Sequence, residues 1–269
     1  MTSNRIYVVD AFTDTPFGGN PAAVLPLLHS GELTDGQMQK VANEMNHAET
    51  AFVAPMNGPE ADYSLRWFTP TVEVDLCGHA TLAAAHTLWE IGSFPTHSSI
   101  RFQTRSGILV AHQEGEDVTL DFPAETPWEE PLPVLPEFLG TPSFTGRNRM
   151  DWFVVLSPGI DIRSLQPDMG QVQALGLRGL IVTTTPPQPT PYDFVSRFFA
   201  PQSGVPEDPV TGSAHCCLGP YWAEKLGKPS VLGFQASQRG GSVGVTVNGA
   251  RVLLHGKAVT ALEGILKCI

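Results

Sequence analysis

Residues 66–70 read Arg-Trp-Phe-Thr-Pro, and residues 197–201 read Arg-Phe-Phe-Ala-Pro, an offset of 131. A little further on, Cys77-Gly78-His79-Ala80 corresponds to Thr211-Gly212-Ser213-Ala214 at an offset of 134. Glu90 matches Glu224 at that same offset, and Phe102-Gln103 matches Phe234-Gln235 at 132. Each match alone is worthless. Four at nearly one spacing, close to half of a 269-residue chain, point to a duplicated domain with a short insertion in the second copy.

The segments around the repeat fit two copies. IYVVDA is a strand, the turn FGGNP follows at 17–21, and AAVLPL is a second strand. Thr34 opens a helix whose Met38, Val41, Ala42 and Met45 recur at helical spacing. Residues 50–54 and 63–68 are strands. From Gly78 the run HATLAAAHTLWEI is apolar nearly all round, which predicts a buried helix closed near Gly92. Strands at 99–104, 107–113 and 117–122 follow. The second half repeats this order, with strands near 152–156, 179–184 and 192–199, and a helix from Thr211 to Leu226. Strands at 230–236, 242–247 and 250–255 complete it. The fold class is therefore α+β, two pseudo-symmetric domains each built of strands around one central helix, and not the alternation of a doubly wound sheet. The expected boundaries are 1–122 and 143–269, joined by a connection at 123–142 that holds six prolines. The final VTALEGIL is one more strand, free to stay in its own half or to cross back to the first. PPQPTP at 186–191 is a loop.

Sixteen basic against 27 acidic residues leave a net charge of −11, the wrong sign for a nucleic-acid protein or for docking on an anionic membrane. An anionic small substrate remains possible, because it responds to the local field. No apolar run is long enough to span a bilayer, and no secretory signal is read at the N-terminus. Cys77, Cys216, Cys217 and Cys268 form no CxxC pair, so neither a disulfide framework nor structural zinc is expected. A cytoplasmic enzyme is the default class.

Both matched helices start with small residues. A helix start offers unpaired N–H groups and a partial positive charge, and glycine lets a ligand approach. Gly78 and Gly212 would then hold an anionic group from both sides of an interdomain cleft; the alternative is that they only permit tight turns. Glu49, between a helix and a strand, has no acidic counterpart, because the matching positions Leu180 to Thr183 are uncharged. It is either a general acid/base or a solvated surface residue. Asp208 is catalytic or an ordinary helix cap. His79 at the helix start is expected neutral, since the helix dipole lowers its pKa. A Glu49 carboxyl working near neutrality is expected to have a raised one. His86 reads as a core histidine, and His215 is ambiguous.

No HExxH or Cys/His tetrad suggests a metal, and no GxGxxG or GxxxxGK[ST] suggests a nucleotide, so neither metal nor cofactor is expected. Cys77 is a possible nucleophile at a helix start, but Thr211 stands where a second thiol would be. The remaining set suits moving a proton on a small, carboxylate-bearing carbon acid. Rival readings are a thiol-dependent epimerase or racemase using Cys77, and a non-catalytic metabolite- or protein-binding protein.

VDAFTDTPFGGNPAAV, NHAETAFV, LRWFTPTVEVDLCGHATLAAA and EDPVTGSA, taken in order, resemble the phenazine-biosynthesis PhzF-like isomerase family. The resemblance spans nearly the whole chain. It implies a fold similar to diaminopimelate epimerase, with a rolled sheet around each central helix and the active site in the cleft. It also implies a cofactor-independent isomerase, typically a homodimer. By that resemblance Glu49 is the central acid/base, while His79, Asp208 and Ser213 bind and orient the substrate. In the best-known member the glutamate shifts a proton on trans-2,3-dihydro-3-hydroxyanthranilate. The Gly78, Gly212 and Ser213 amides, with Thr211 and Cys77 beside them, are the expected substrate-binding set.

Overall fold

The computed structural model describes residues 4–29 and 31–267; Cys268 lies outside them. The chain divides into two compact units, 1–121 with 255–269, and 122–254.

In chain order the first unit begins with β1 (Asn4–Ala11), β2 (Asn20–Pro26), α1 (Asp35–Met45), β3 (Glu49–Pro55), β4 (Tyr63–Phe68) and β5 (Glu73–Val74). α2 (Gly78–Glu90), β6 (Ile100–Thr104), β7 (Gly107–Glu114) and β8 (Asp117–Pro123) follow. β2 and β3 are parallel, β3 and β4 antiparallel, β4 and β6 parallel, β6 and β7 antiparallel. Thr34 closes a full capping box on α1, as the sequence predicts. Asn46, in the left-handed region at φ 51°, ends that helix and turns the chain into β3, so Glu49 becomes the first residue of the strand. The two helices lie on opposite faces. Met38, Val41 and Ala42 of α1 pack in one cluster with Leu25 and Phe52, while α2 packs against β1, β2 and β3. Strands covered on both faces read as continuous apolar runs, which is why AAVL and AFVA show no alternation.

The second unit holds β9 (Trp128–Glu129), β10 (Phe144–Arg147), β11 (Asp151–Val155), α3 (Met169–Gln173), β12 (Gly179–Thr184) and β13 (Phe194–Phe199). Then come α4 (Gly212–Leu226), β14 (Ser230–Gln235), β15 (Gly241–Asn248) and β16 (Arg251–Gly256). β11 and β12 are parallel, β12 and β13 antiparallel, β13 and β14 parallel, β14 and β15 antiparallel. This is the pairing series of the first unit again, so the duplication extends from short sequence matches to topology. Ten of the thirteen α2 residues and ten of the fifteen α4 residues are buried, which makes each helix the core of its own unit.

Two expectations are corrected. The stretch 123–142 belongs to the second unit: Ala124 N–H donates to Ala250 O, Glu130 N–H to Thr145 O, and Leu139 is buried. One contact has a sequence cause. Pro220 lies inside α4 and has no N–H for the carbonyl four residues back, Cys216 O, and that carbonyl accepts from Glu125 N–H at 2.9 Å instead. The boundary at 143–269 changes as well, because the chain re-enters the first unit at His255. Its last strand, β17 (Ala258–Leu266), pairs antiparallel with β1 along the whole length of that strand.

Gly219 shows how tightly α4 seats. A Cβ there would stand 2.3 Å from Val245 Cγ1 of β15, so only glycine admits this approach of helix to sheet.

Candidate active site

Parallel neighbours begin at the same sheet edge, and in the first unit that edge is β2 and β3, with Ala22 opposite Glu49. The start of α2 reaches it too. There Glu49 Oε2 stands 3.2 Å from His79 Nε2, an ion-pair contact. His79 Nδ1 lies 3.5 Å from Cys77 Sγ and 3.3 Å from Asn20 Nδ2. The imidazole thus bridges a thiol and a carboxylate. All of this is sheltered: Cys77 is 7% and His79 5% exposed, and the Glu49 side chain 19%. Glu49 is not a solvated surface residue.

Both pKa expectations reverse. Burial pushes the Glu49 carboxyl up, but its close contact with His79, the His79 charge and Cys77 together hold it below its ordinary 4.5. Burial pushes His79 down, yet Cys77 and Glu49 raise it well above 6.5. Burial, then the nearby Glu49 charge, pushes the Cys77 thiol up to about 11. At neutral pH Cys77 is therefore a thiol and Glu49 a carboxylate, and Glu49 favours the protonated form of His79. The carboxylate facing His79 outweighs the helix dipole that sequence reasoning relied on.

Cys77 Sγ, one His79 nitrogen and a Glu49 oxygen lie within 4.8 Å of one another. That is a plausible donor set for a soft cation. The orientation does not fit a chelate, because His79 turns Nδ1 to the thiol and Nε2 to the carboxylate, so no single ring nitrogen faces both.

In the second unit the corresponding edge is β11 and β12, with Asp151 opposite Gly179, and α4 starts there. Thr211 Oγ1 donates to Asp208 Oδ2 at 2.5 Å, so Asp208 is tied to the residue before the helix and does not act as a helix cap. Gln235, fully buried, fixes the turn: Oε1 accepts from Thr211 N–H at 2.9 Å, and Nε2 donates to Asp208 O at 2.7 Å. Ser213 Oγ accepts from Arg178 Nη2 at 3.0 Å. Arg178 in turn clamps the fully buried Asp151, with Nε 2.8 Å from Oδ1 and Nη2 on Oδ2. His215 is a core residue: it is fully buried, Nδ1 lies 2.8 Å from Thr211 O, and burial pushes its pKa down to about 4. His86, packed in part and near Glu90, is likewise lowered by burial.

Neither α2 nor α4 has a side-chain hydrogen bond at its N-cap or an acid in its first turn. Neither cap side chain therefore satisfies the first amides of its helix. An arginine–carboxylate fork braces each approach loop. Arg66 Nε and Nη2 lie 2.7 Å from the two oxygens of Glu73, and Arg197 Nε and Nη2 lie 2.7 and 2.9 Å from those of Glu207. Each guanidinium also stacks on the phenylalanine two residues later, Phe68 at 5.2 Å and Phe199 at 4.8 Å. So the Arg-x-Phe repeat records a brace that carries the chain to the helix start.

Sequence reasoning missed Asn20, Asp151, Arg178 and Gln235. Asn20 stood inside the FGGNP turn and Gln235 inside the Phe-Gln repeat; both were read as framework. Arg178 had no signal, because a lone arginine before a strand is ordinary.

The family model of phenazine biosynthesis-like proteins matches residues 9–264. An uncharacterized isomerase of Halalkalibacterium halodurans is 49% identical over 266 residues, covering 98% of each chain. The crystal structure of a phenazine biosynthesis protein of the PhzF family from Enterococcus faecalis superposes with a TM-score of 0.90 at 39% identity, covering 99% of this chain and 100% of that one. A hydroxyproline epimerase from Agrobacterium vitis shares the fold alone, with a TM-score of 0.61 at 14% identity over 99% of this chain and 91% of its own. The fold is α+β and is shared with these PhzF-family and epimerase structures. Among the described residues no helix is long and apolar enough to cross a membrane.

Proposed function

Since the chain belongs to the family of phenazine biosynthesis-like proteins, we propose that it is a cofactor-independent isomerase that moves a proton on a small, carboxylate-bearing carbon acid. The supporting observation is the sheltered Glu49–His79 contact at 3.2 Å beside an uncapped helix start. Glu49, ionised at neutral pH, removes the proton. His79, protonated, holds the carboxylate in place and stabilises negative charge that develops on the substrate. The protonated Glu49 then returns the proton to another carbon. Asp208, held by the Thr211 hydroxyl, orients the substrate, and the Gly212 and Ser213 amides with the Ser213 hydroxyl are the donors the second unit offers its anionic end, as the Gly78 amide is in the first.

Cys77 sits beside His79, which keeps a thiol-dependent epimerase in view. Its thiol stays protonated at neutral pH, and Thr211 replaces the second thiol, so a single carboxylate is the better base.

Small carboxylic carbon acids incubated with the protein in heavy water test this. Glu49→Gln is expected to keep fold and ligand binding and to lose roughly 10²–10⁴-fold in deuterium incorporation. Incorporation that survives Glu49→Gln and disappears in Cys77→Ser would transfer the role to the thiol.

A further inference from the structure

We propose that Arg178 is a positioning residue. Clamped on Asp151, it donates to Ser213 Oγ and so aims the Ser213 hydroxyl proton at the carboxylate of the substrate. The inference rests on the isomerase reading only in taking Ser213 to meet that carboxylate.

The geometry supplies the logic. Asp151 is fully buried and needs a cation; the Arg178 fork supplies it through two hydrogen bonds. Asp151 is itself held in place, because Asn148 Oδ1 accepts from its backbone N–H at 2.7 Å. The guanidinium also lies over the Phe198 ring at 5.4 Å. Three fixed supports leave it little freedom. The same Nη2 reaches Ser213 Oγ at 3.0 Å. A serine hydroxyl has two lone pairs and one proton. Once a cationic donor occupies a lone pair, the proton must point elsewhere, and the hydroxyl becomes a stronger donor by polarisation.

The placement makes poor sense as stabilisation alone. A helix N-terminus carries partial positive charge, and an acid, not a cation, stabilises it. Here the first turn of α4 has no acid, and a third-exposed guanidinium stands beside it. Asp208 offsets part of that charge. With Asp151 and Asp208 balancing the guanidinium, what this edge offers an arriving anionic group is directed donors, the Ser213 hydroxyl and the first amides of α4, and not net charge. In the first unit, position 20, the counterpart of Asp151 at an offset of 131, is Asn20, which approaches His79, the counterpart of Ser213. So in both copies the residue opening this strand controls the second residue of the helix, directly in one and through Arg178 in the other.

The test is a double-mutant cycle on benzoate affinity, measured by NMR titration of the full-length protein. Ser213→Ala and Arg178→Lys are each expected to weaken benzoate roughly tenfold, because lysine keeps the charge near Asp151 but cannot fork to two partners. Since Arg178 acts through Ser213, the double variant should also lose roughly tenfold, and not a hundredfold. Losses that multiply mean an independent or merely structural Arg178 and overturn the proposal. An unchanged Arg178→Lys, or a wild type that binds no benzoate, overturns it too. If Arg178→Lys does not fold, the neutral pair Asp151→Asn with Arg178→Gln carries the same cycle. The isomerase reading fails separately, when no deuterium exchange depends on Glu49, whatever the cycle gives.

Discussion

The same sheet edge occurs twice in this chain, and the two copies have diverged in opposite ways. In the first unit it carries Asn20, Glu49, Cys77 and His79, a thiol–imidazole–carboxylate chain with no arginine in it. In the second it carries Asp151, Arg178, Ser213, Thr211 and Asp208, a cation fixed by one acid and hydroxyls held by the other. The frames around them are nearly unchanged: parallel strands opening together, a buried helix starting at that edge, and an arginine fork bracing the loop before it. Duplication preserved what positions side chains and freed the side chains themselves. On the proposed function, the first copy serves proton transfer and the second binds the anionic end of the substrate.

That contrast can be sharpened by breaking its parts, beginning with the braces. Arg197 donates to Glu207 and also to Ile162 O and Leu165 O, whereas Arg66 has Glu73 and the exposed Asp35. Arg197→Met should therefore cost about 3 kcal/mol in urea unfolding, and Arg66→Met about half of that. Equal losses would mean that the two braces carry the same load. Next, Gly219→Ala should lower stability by about 1–3 kcal/mol, although alanine favours helices by about 1 kcal/mol, because β15 occupies the space a Cβ needs. A stabilised variant would show that α4 can shift away from Val245.

The pH effects are smaller and belong to the first unit. Folding lowers the Glu49 pKa from 4.5, so its stabilisation is present above that pH and is lost as pH falls through the lowered value. Folding raises His79 from 6.5, so its stabilisation is complete below 6.5 and is lost as pH rises through the raised value. The pair contributes fully between about 4.5 and 6.5. His79→Gln should flatten the alkaline loss of stability and move the acid limb of kcat/KM upward, because burial then acts on Glu49 with only Cys77 opposing it. An acid limb that stays in place would remove His79 as the cause of the lowered pKa. Smallest of all, Cys77 should react with iodoacetamide at neutral pH far more slowly than it does in the unfolded chain, its thiol being buried with a pKa near 11.

Much of this was legible in the residues. Thr34, the apolar run after Gly78 and the repeat at 131–134 are local or periodic signals, and the helices, strands and duplication follow from them. The candidate site residues Glu49, His79, Asp208 and Ser213 stand out in sequence because two of them sit at the helix starts and one is an acid without a counterpart. The charge states were not legible. They depend on Glu49 and His79 meeting 30 residues apart, and a helix-dipole argument cannot anticipate a carboxylate at 3.2 Å. Arg178 was hidden for the same reason, since its role comes from Asp151 and Ser213 on other elements. The Pro-rich 123–142 misled because proline marks irregular chain without saying where that chain packs; the vacancy Pro220 leaves at Cys216 O decides it.

Deuterium incorporation at saturating carbon acid separates the two copies most directly. With Glu49→Gln the rate should stay at least a hundredfold below wild type however much substrate is added. With Ser213→Ala it should approach wild type once substrate is raised roughly tenfold. If substrate restores Glu49→Gln and fails to restore Ser213→Ala, the division of labour drawn between the two copies is wrong.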